Sequence, residues 1–152
     1  MVGLILSLPR IQPDIFLRIH GGSFIVGSAT DPATDGSKLA LATNSIVAVM
    51  QYRLGAVSTC GYLEFHYLLT TIQLGFMAPS GQTNLAVKDV VTALSFLQKV
   101  IPSFGGSRSK ITLAGQSSGA NMIRALLAVP SASSLFQSAI LQSDPMVCRI
   151  AE

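Results

Sequence analysis

Four short apolar runs punctuate the chain: "DIFLRI" at 14–19, "SIVAVMQ" at 45–51, "KITLA" at 110–114 and "SAILQ" at 138–142. They are mostly continuous rather than alternating, the pattern of strands covered on both faces of a parallel sheet. Between them the apolar spacing changes to a helical period. Over 85–101, Val87, Val90, Val91, Leu94, Leu97 and Ile101 recur on one stripe, which predicts an amphipathic helix. Pro102 and Gly105-Gly106 stop it. The segment "SGANMIRALLAV" predicts a second helix that ends before Pro130, and 35–43 a short one. Strands alternating with helices predict an α/β fold, a mostly parallel sheet with flanking helices and right-handed crossovers. No internal repeat or low-complexity tract is visible.

Composition changes this picture in one respect. The 152 residues suffice for one domain with a sizeable core. Hydrophobic residues make up an ordinary 49%, but charged residues make up only 11%, against about 25% in a typical globular protein. No uninterrupted apolar run reaches the roughly 18 residues of a membrane span, so none is expected. The composition instead suggests a piece from the middle of a larger protein, with the α/β fold incomplete at both ends and its charged outer layers elsewhere. The net charge of +3 comes from ten scattered Lys and Arg without interleaved aromatics, so no nucleic-acid partner is expected. Cys60 and Cys148 form neither a metal-ligand spacing nor a disulfide framework. No metal or cofactor is implied, and the lack of a Walker A loop and of a G-x-G-x-x-G after a strand disfavours nucleotide binding. The opening "MVGLILSLPR" has no basic residue before its apolar run and no A-x-A-like cleavage site. It makes a poor signal peptide and leaves the compartment open.

The candidate chemistry lies in "ITLAGQSSGAN" at 111–121, where Ser117 stands in the frame Gly115-Gln116-Ser117-Ser118-Gly119. This frame falls where a predicted strand meets a predicted helix, the context that gives G-x-S-x-G its meaning as a nucleophile turn. The glycines are expected to permit a sharp turn that no β-carbon would fit. The helix that follows directs its first N–H groups toward the site, with Ser118 N–H as one oxyanion donor. A second stretch, "RIHGGSFIVGS" at 18–28, follows the first strand, and the N–H groups of Gly22 and Ser23 are candidates to complete an oxyanion hole. His20 belongs to this loop, and its expected role is packing or hydrogen bonding that shapes the turn.

Four segments, "IHGGSFIVGS" (19–28), "NSIVAVMQYRLGA" (44–56), "TNLAVKDVVTALSFLQKVIPSFGGSRSKITLAGQSSGA" (83–120) and "FQSAILQSDPM" (136–146), give the chain its likeness. It resembles the type-B carboxylesterase/lipase family, the cholinesterase-like branch of the α/β-hydrolases, over about half its length. The resemblance implies an α/β-hydrolase fold and hydrolysis of a small-molecule carboxylic ester through an acyl-enzyme. It implies Ser117 as the nucleophile and Gly22, Ser23 and Ser118 as oxyanion donors. Asn84 and Asp89 match family positions that shape the loop and helix before the nucleophile strand. Three positions depart from the family pattern: Gln116 replaces a glutamate, Ser107 an aspartate, and Arg18 an aromatic. A cation at position 18 on an inner strand would be costly to bury unpaired.

The order of a serine triad on this fold is Ser, then Asp or Glu, then His. After Ser117 the acids are Asp144 and Glu152, and both histidines, His20 and His66, precede it. In the family the acid and histidine come far downstream. The expectation is a nucleophile without its base, inactive alone. Two stretches fall outside the resemblance, 57–73 and 147–152, and between them they hold both cysteines, His66 and both glutamates. The first is expected to be extruded or poorly ordered. Val-Ser can be encoded by GTAAGT, a terminal Gln by CAG and Val-Cys by GTATGT, so retained introns account for both, and a family-specific insertion is the rival account for the first. A non-catalytic interaction module and a non-functional product of a misspliced gene therefore stand beside the esterase reading.

Overall fold

The four apolar runs become four parallel strands in the computed structural model, which describes residues 12–54 and 84–145. In chain order these residues form β1 (Ile15–Ile19), α1 (Ser37–Thr43), β2 (Ile46–Met50), α2 (Leu85–Val100), β3 (Ile111–Gln116), α3 (Ser118–Leu127) and β4 (Ser138–Gln142). The sheet order is β2-β1-β3-β4. The stretches 57–73 and 147–152 lie outside the described residues.

Register decides which side chains share a face. Ile15, Leu17 and Ile19 lie beside Ile46, Ala48 and Met50 of β2 and beside Ile111, Leu113 and Gly115 of β3. Helix α2 packs on this face through Ala86, Val90 and Leu94, and α3 through Met122, Ile123 and Leu126, all buried. The opposite face carries Phe16, Arg18, Val47, Val49, Thr112 and Ala114, each partly buried. The strands were expected to be covered alike on both faces, but β1 and β3 alternate between buried and half-buried positions. The reason is that α1, beside β2, has no buried residue. Arg18 stands on the thinly covered face and is only partly buried, so the full cost of an unpaired buried cation does not arise.

The helix ends follow the local sequence. Helix α2 tightens into a 3-10 turn at Ile101–Phe104 with Pro102 in its first positions, where a missing N–H is harmless. Gly105 closes it at φ 81°, its N–H reaching the carbonyls of Ile101 and Pro102. Lys99 in the last turn of α2 and Arg124 in that of α3 complement the helix dipoles. Gln98 Nε2 donates to the carbonyl oxygens of Arg108 and Leu135, 3.1 Å each. These bonds tie α2 to the loops on either side of β3 and α3.

Candidate active site

Ser117 joins β3 to α3 at φ 53° and ψ −120°. This sparsely populated backbone region costs a non-glycine residue on the order of 1–3 kcal/mol. The turn is held from outside. Ser117 N–H donates to Gln142 O at the end of β4 (2.9 Å), and Asn121 N–H donates to Ser117 O (3.0 Å). A serine at a helix N-cap ordinarily turns its hydroxyl back onto the first-turn N–H groups. Ser117 makes no such bond, and its Oγ has no hydrogen-bond partner among the described residues.

The flanking glycines act through closeness rather than through positive φ, which neither adopts. A β-carbon on Gly115 would lie 2.5 Å from Gly119 C and 2.7 Å from Ala120 N. One on Gly119 would strike Ile19 O and lie 2.8 Å from His20 O. The first turn of α3 thus rests directly on the main chain of β3 and on the end of β1. The left-handed conformation falls to the serine.

The end of β1 carries the glycine-rich loop to the same place. A β-carbon on Gly21 would sit 3.2 Å from Ser117 Cβ and 2.9 Å from Gln116 O. Beyond it the chain turns through three positive-φ residues, Gly22, Ser23 and Phe24. Gly22 O accepts from Ile25 N–H and Val26 N–H, 3.0 Å each. No hydrogen bond engages the N–H of Gly22 or Ser23 among the described residues. Ala29 N–H donates to Gln51 Oε1 (2.9 Å), which anchors the far end of the loop beside β2.

Behind these main-chain groups lies a cluster that the sequence left without a role. Tyr52, two residues after β2, is 2% exposed and stacks on the His20 ring, with centroids 4.5 Å apart and planes at 21°. Its hydroxyl donates to His20 O at 2.9 Å and lies 3.4 Å from Ser118 Oγ. Burial raises the Tyr52 phenol above its ordinary pKa, opposed in part by the bond with Ser118. His20 Nδ1 is 2.8 Å from Gly21 O. A carbonyl only accepts, so this nitrogen carries the proton. Gly27, at φ 116°, leaves room for the His20 ring, since a β-carbon there would fall 2.5 Å from Nδ1. The histidine bonds within its own loop and packs against Tyr52, a role of packing and hydrogen bonding as the sequence suggested.

The acids go elsewhere. Asp89, on α2, receives Arg53 side by side, Nη2 to Oδ1 at 2.6 Å and Nε to Oδ2 at 2.8 Å, plus Arg53 N–H at 3.1 Å. Burial pushes the Asp89 carboxyl upward, but the Arg53 bonds and charge outweigh it and hold the pKa below its ordinary value. This pair clamps α2 to the segment leaving β2. Asp144 lies against Arg124, Nε to Oδ2 at 2.9 Å but off hydrogen-bond geometry, with its Oδ1 buried and unpartnered among the described residues. Among the described residues no group of three or more His, Cys, Asp and Glu gathers to hold a metal, and no helix is long and apolar enough to cross a membrane. Asn84 caps α2 at φ 57° through its main chain, without a side-chain bond.

A parallel sheet that ends one strand in a strained serine, under a glycine loop from the neighbouring strand, has the architecture of an α/β-hydrolase. Comparison with known proteins gives the family. The carboxylesterase family model matches residues 11–152. Para-nitrobenzyl esterase of Bacillus subtilis is 37% identical over 135 residues, 89% of this chain and 25% of that protein. Human carboxylesterase 5A is 42% identical over 123 residues, 81% of this chain and 19% of its own length. A Geobacillus stearothermophilus carboxylesterase structure superposes with a TM-score of 0.70 at 32% identity, over 87% of this chain and 26% of that one. The chain belongs to the carboxylesterase family. It spans about a quarter of the length of such relatives.

Proposed function

We propose that Ser117 is the nucleophile of a carboxylic-ester hydrolase and that the N–H groups of Gly22, Ser23 and Ser118 hold the oxyanion. The observation that carries this reading is the Ser117 hydroxyl, held on a strained turn and engaged by no hydrogen bond among the described residues, with the Gly21 main chain beside it. Ser117 Oγ attacks the ester carbonyl, the negative charge gathers on the carbonyl oxygen, and the alcohol leaves as the acyl-enzyme forms. Water then releases the acid. Each oxyanion donor contributes about 2.7–4 kcal/mol to the barrier reduction in enzymes of this kind.

The proton relay is the missing part. With histidines only at positions 20 and 66, the chain has none after Ser117, whereas the family's base lies far downstream. Loss of a triad histidine lowers turnover by about 10⁶, near 8 kcal/mol of barrier. The chain by itself is therefore inactive in this reading, and the matching stretch supports hydrolysis only where the rest of an esterase is supplied.

Fluorophosphonate labelling of the folded chain, with Ser117→Ala as control, tests the second half. Labelling is expected to be negligible; rapid stoichiometric labelling lost in Ser117→Ala would mean that a base reaches the serine from elsewhere. A chimera tests the first half, with residues 12–145 replacing the matching stretch of the B. subtilis esterase. Its hydrolysis of a para-nitrobenzyl ester is expected to vanish with Ser117→Ala. Activity that survives the substitution would refute the assignment.

A further inference from the structure

We propose that the Tyr52 hydroxyl is a positioning group that holds the two arms of the oxyanion hole in a fixed relation. The inference rests on the reading of Gly22, Ser23 and Ser118 as donors and adds a residue to it. One arm is the loop that begins at His20; the other is the first turn of α3, which begins at Ser118. Tyr52 comes from neither, arriving from the end of β2. A phenol has one proton, and His20 O can only accept, so that proton lies in the 2.9 Å bond to His20 O. The longer contact then runs the other way, with Ser118 Oγ–H donating to the Tyr52 oxygen at 3.4 Å.

The result is a chain of two bonds, Ser118 to Tyr52 to His20, with Ser118 1% exposed, Tyr52 2% and His20 5%. His20 O is the last carbonyl before the glycine pair, and Ser118 directly follows the nucleophile. From Gly21 onward the chain lies outside the strand and turns through three positive-φ residues, so the bond to His20 O holds it where it leaves β1. The stacked His20 ring supplies area but no direction. The hydroxyl supplies the direction, because a hydrogen bond to a carbonyl fixes the peptide plane.

The test is Tyr52→Phe in the full chain, which keeps the ring stack and removes only the hydroxyl. Amide hydrogen exchange gives a readout independent of ester chemistry. The reporters are Ile25 and Val26, whose N–H groups bond Gly22 O, and Asn121, whose N–H bonds Ser117 O. All three are expected to exchange about tenfold faster, the effect of one buried hydrogen bond, while Leu17 and Leu113 in the strands keep their rates. Unchanged reporters would overturn the proposal, and so would strand amides that accelerate by the same factor, since that is a loss of overall stability. If Tyr52→Phe does not fold, Ser118→Ala decides. Faster exchange at Asn121 with Leu17 and Leu113 unchanged supports the linkage, and an unchanged Asn121 overturns it. Failure of the Ser117 assignment would show in the chimera assay and leave these rates untouched.

Discussion

Gly119→Ala puts the geometry of the serine turn to a quantitative test, because two familiar effects of the substitution oppose each other. Gly119 is the second residue of α3, and alanine in a helix is favoured over glycine by up to about 1 kcal/mol. On helix propensity alone the variant should be more stable. The added β-carbon, however, would strike Ile19 O and lie 2.8 Å from His20 O and 2.9 Å from Ile19 C. Ile19 is the last residue of a strand paired on both sides, with β2 and β3, so its main-chain atoms have little freedom to yield. Nor can α3 lift away without withdrawing Met122, Ile123 and Leu126 from the core. Overpacking of this kind costs about 1–3 kcal/mol and sometimes more; against unyielding backbone the upper end applies. The expected net loss is about 2 kcal/mol, a fall of roughly 1 M in the urea midpoint with unchanged slope. Gly105→Ala is the matched control, with φ 81° and nothing within 4 Å of its β-carbon. It should lose only the left-handed backbone penalty, about 1–2 kcal/mol. Far-UV circular dichroism during urea unfolding measures both. A Gly119→Ala chain as stable as the parent would refute the argument that contact of α3 with β1, rather than backbone conformation, requires glycine there.

Two further predictions concern the scaffold. Leu94→Ala, fully buried in α2, should cost about 2–5 kcal/mol, while Leu41→Ala, 86% exposed on α1, should stay within about 0.5 kcal/mol; similar losses would contradict the one-sided core. Asp89→Asn should lower the melting temperature near neutral pH. The folded pKa of Asp89 lies below its unfolded value, so its contribution is complete above the unfolded pKa of about 3.9 and disappears as pH falls through the folded one. The gap between parent and variant should therefore close in acid and narrow in high salt. A gap that is constant from pH 7 to pH 2 would show that the Arg53 pair does not account for it.

Much of the fold was legible because local pattern and tertiary role agree. All four strands and three helices fall within two residues of the predicted spans, and β3 runs two residues further than expected, to Gln116. The location of Ser117 was legible for the same reason, since an apolar strand followed by a small-residue helix leaves only a short junction. What the pattern could not reveal was which glycines need positive φ. Gly115 and Gly119 were expected to leave no room for a β-carbon, and they leave none, but the pattern gave no sign that the serine itself carries the strain. Nor could it separate the two sheet faces. A continuous apolar run reads the same whether its second face is covered by a helix or left partly open.

The sequence by itself determined the order of strands and helices, the serine at their junction and the glycine loop after the first strand. These are properties of neighbouring residues, set by side-chain period and backbone preference. Only the tertiary structure decided that residues 20, 52 and 118 meet. They belong to three segments separated by more than thirty residues each, and the parallel order β2-β1-β3 delivers their strand ends to one edge of the sheet. Sheet register is a pairing between distant segments, and no local preference encodes which carbonyl a tyrosine two residues past a strand will reach.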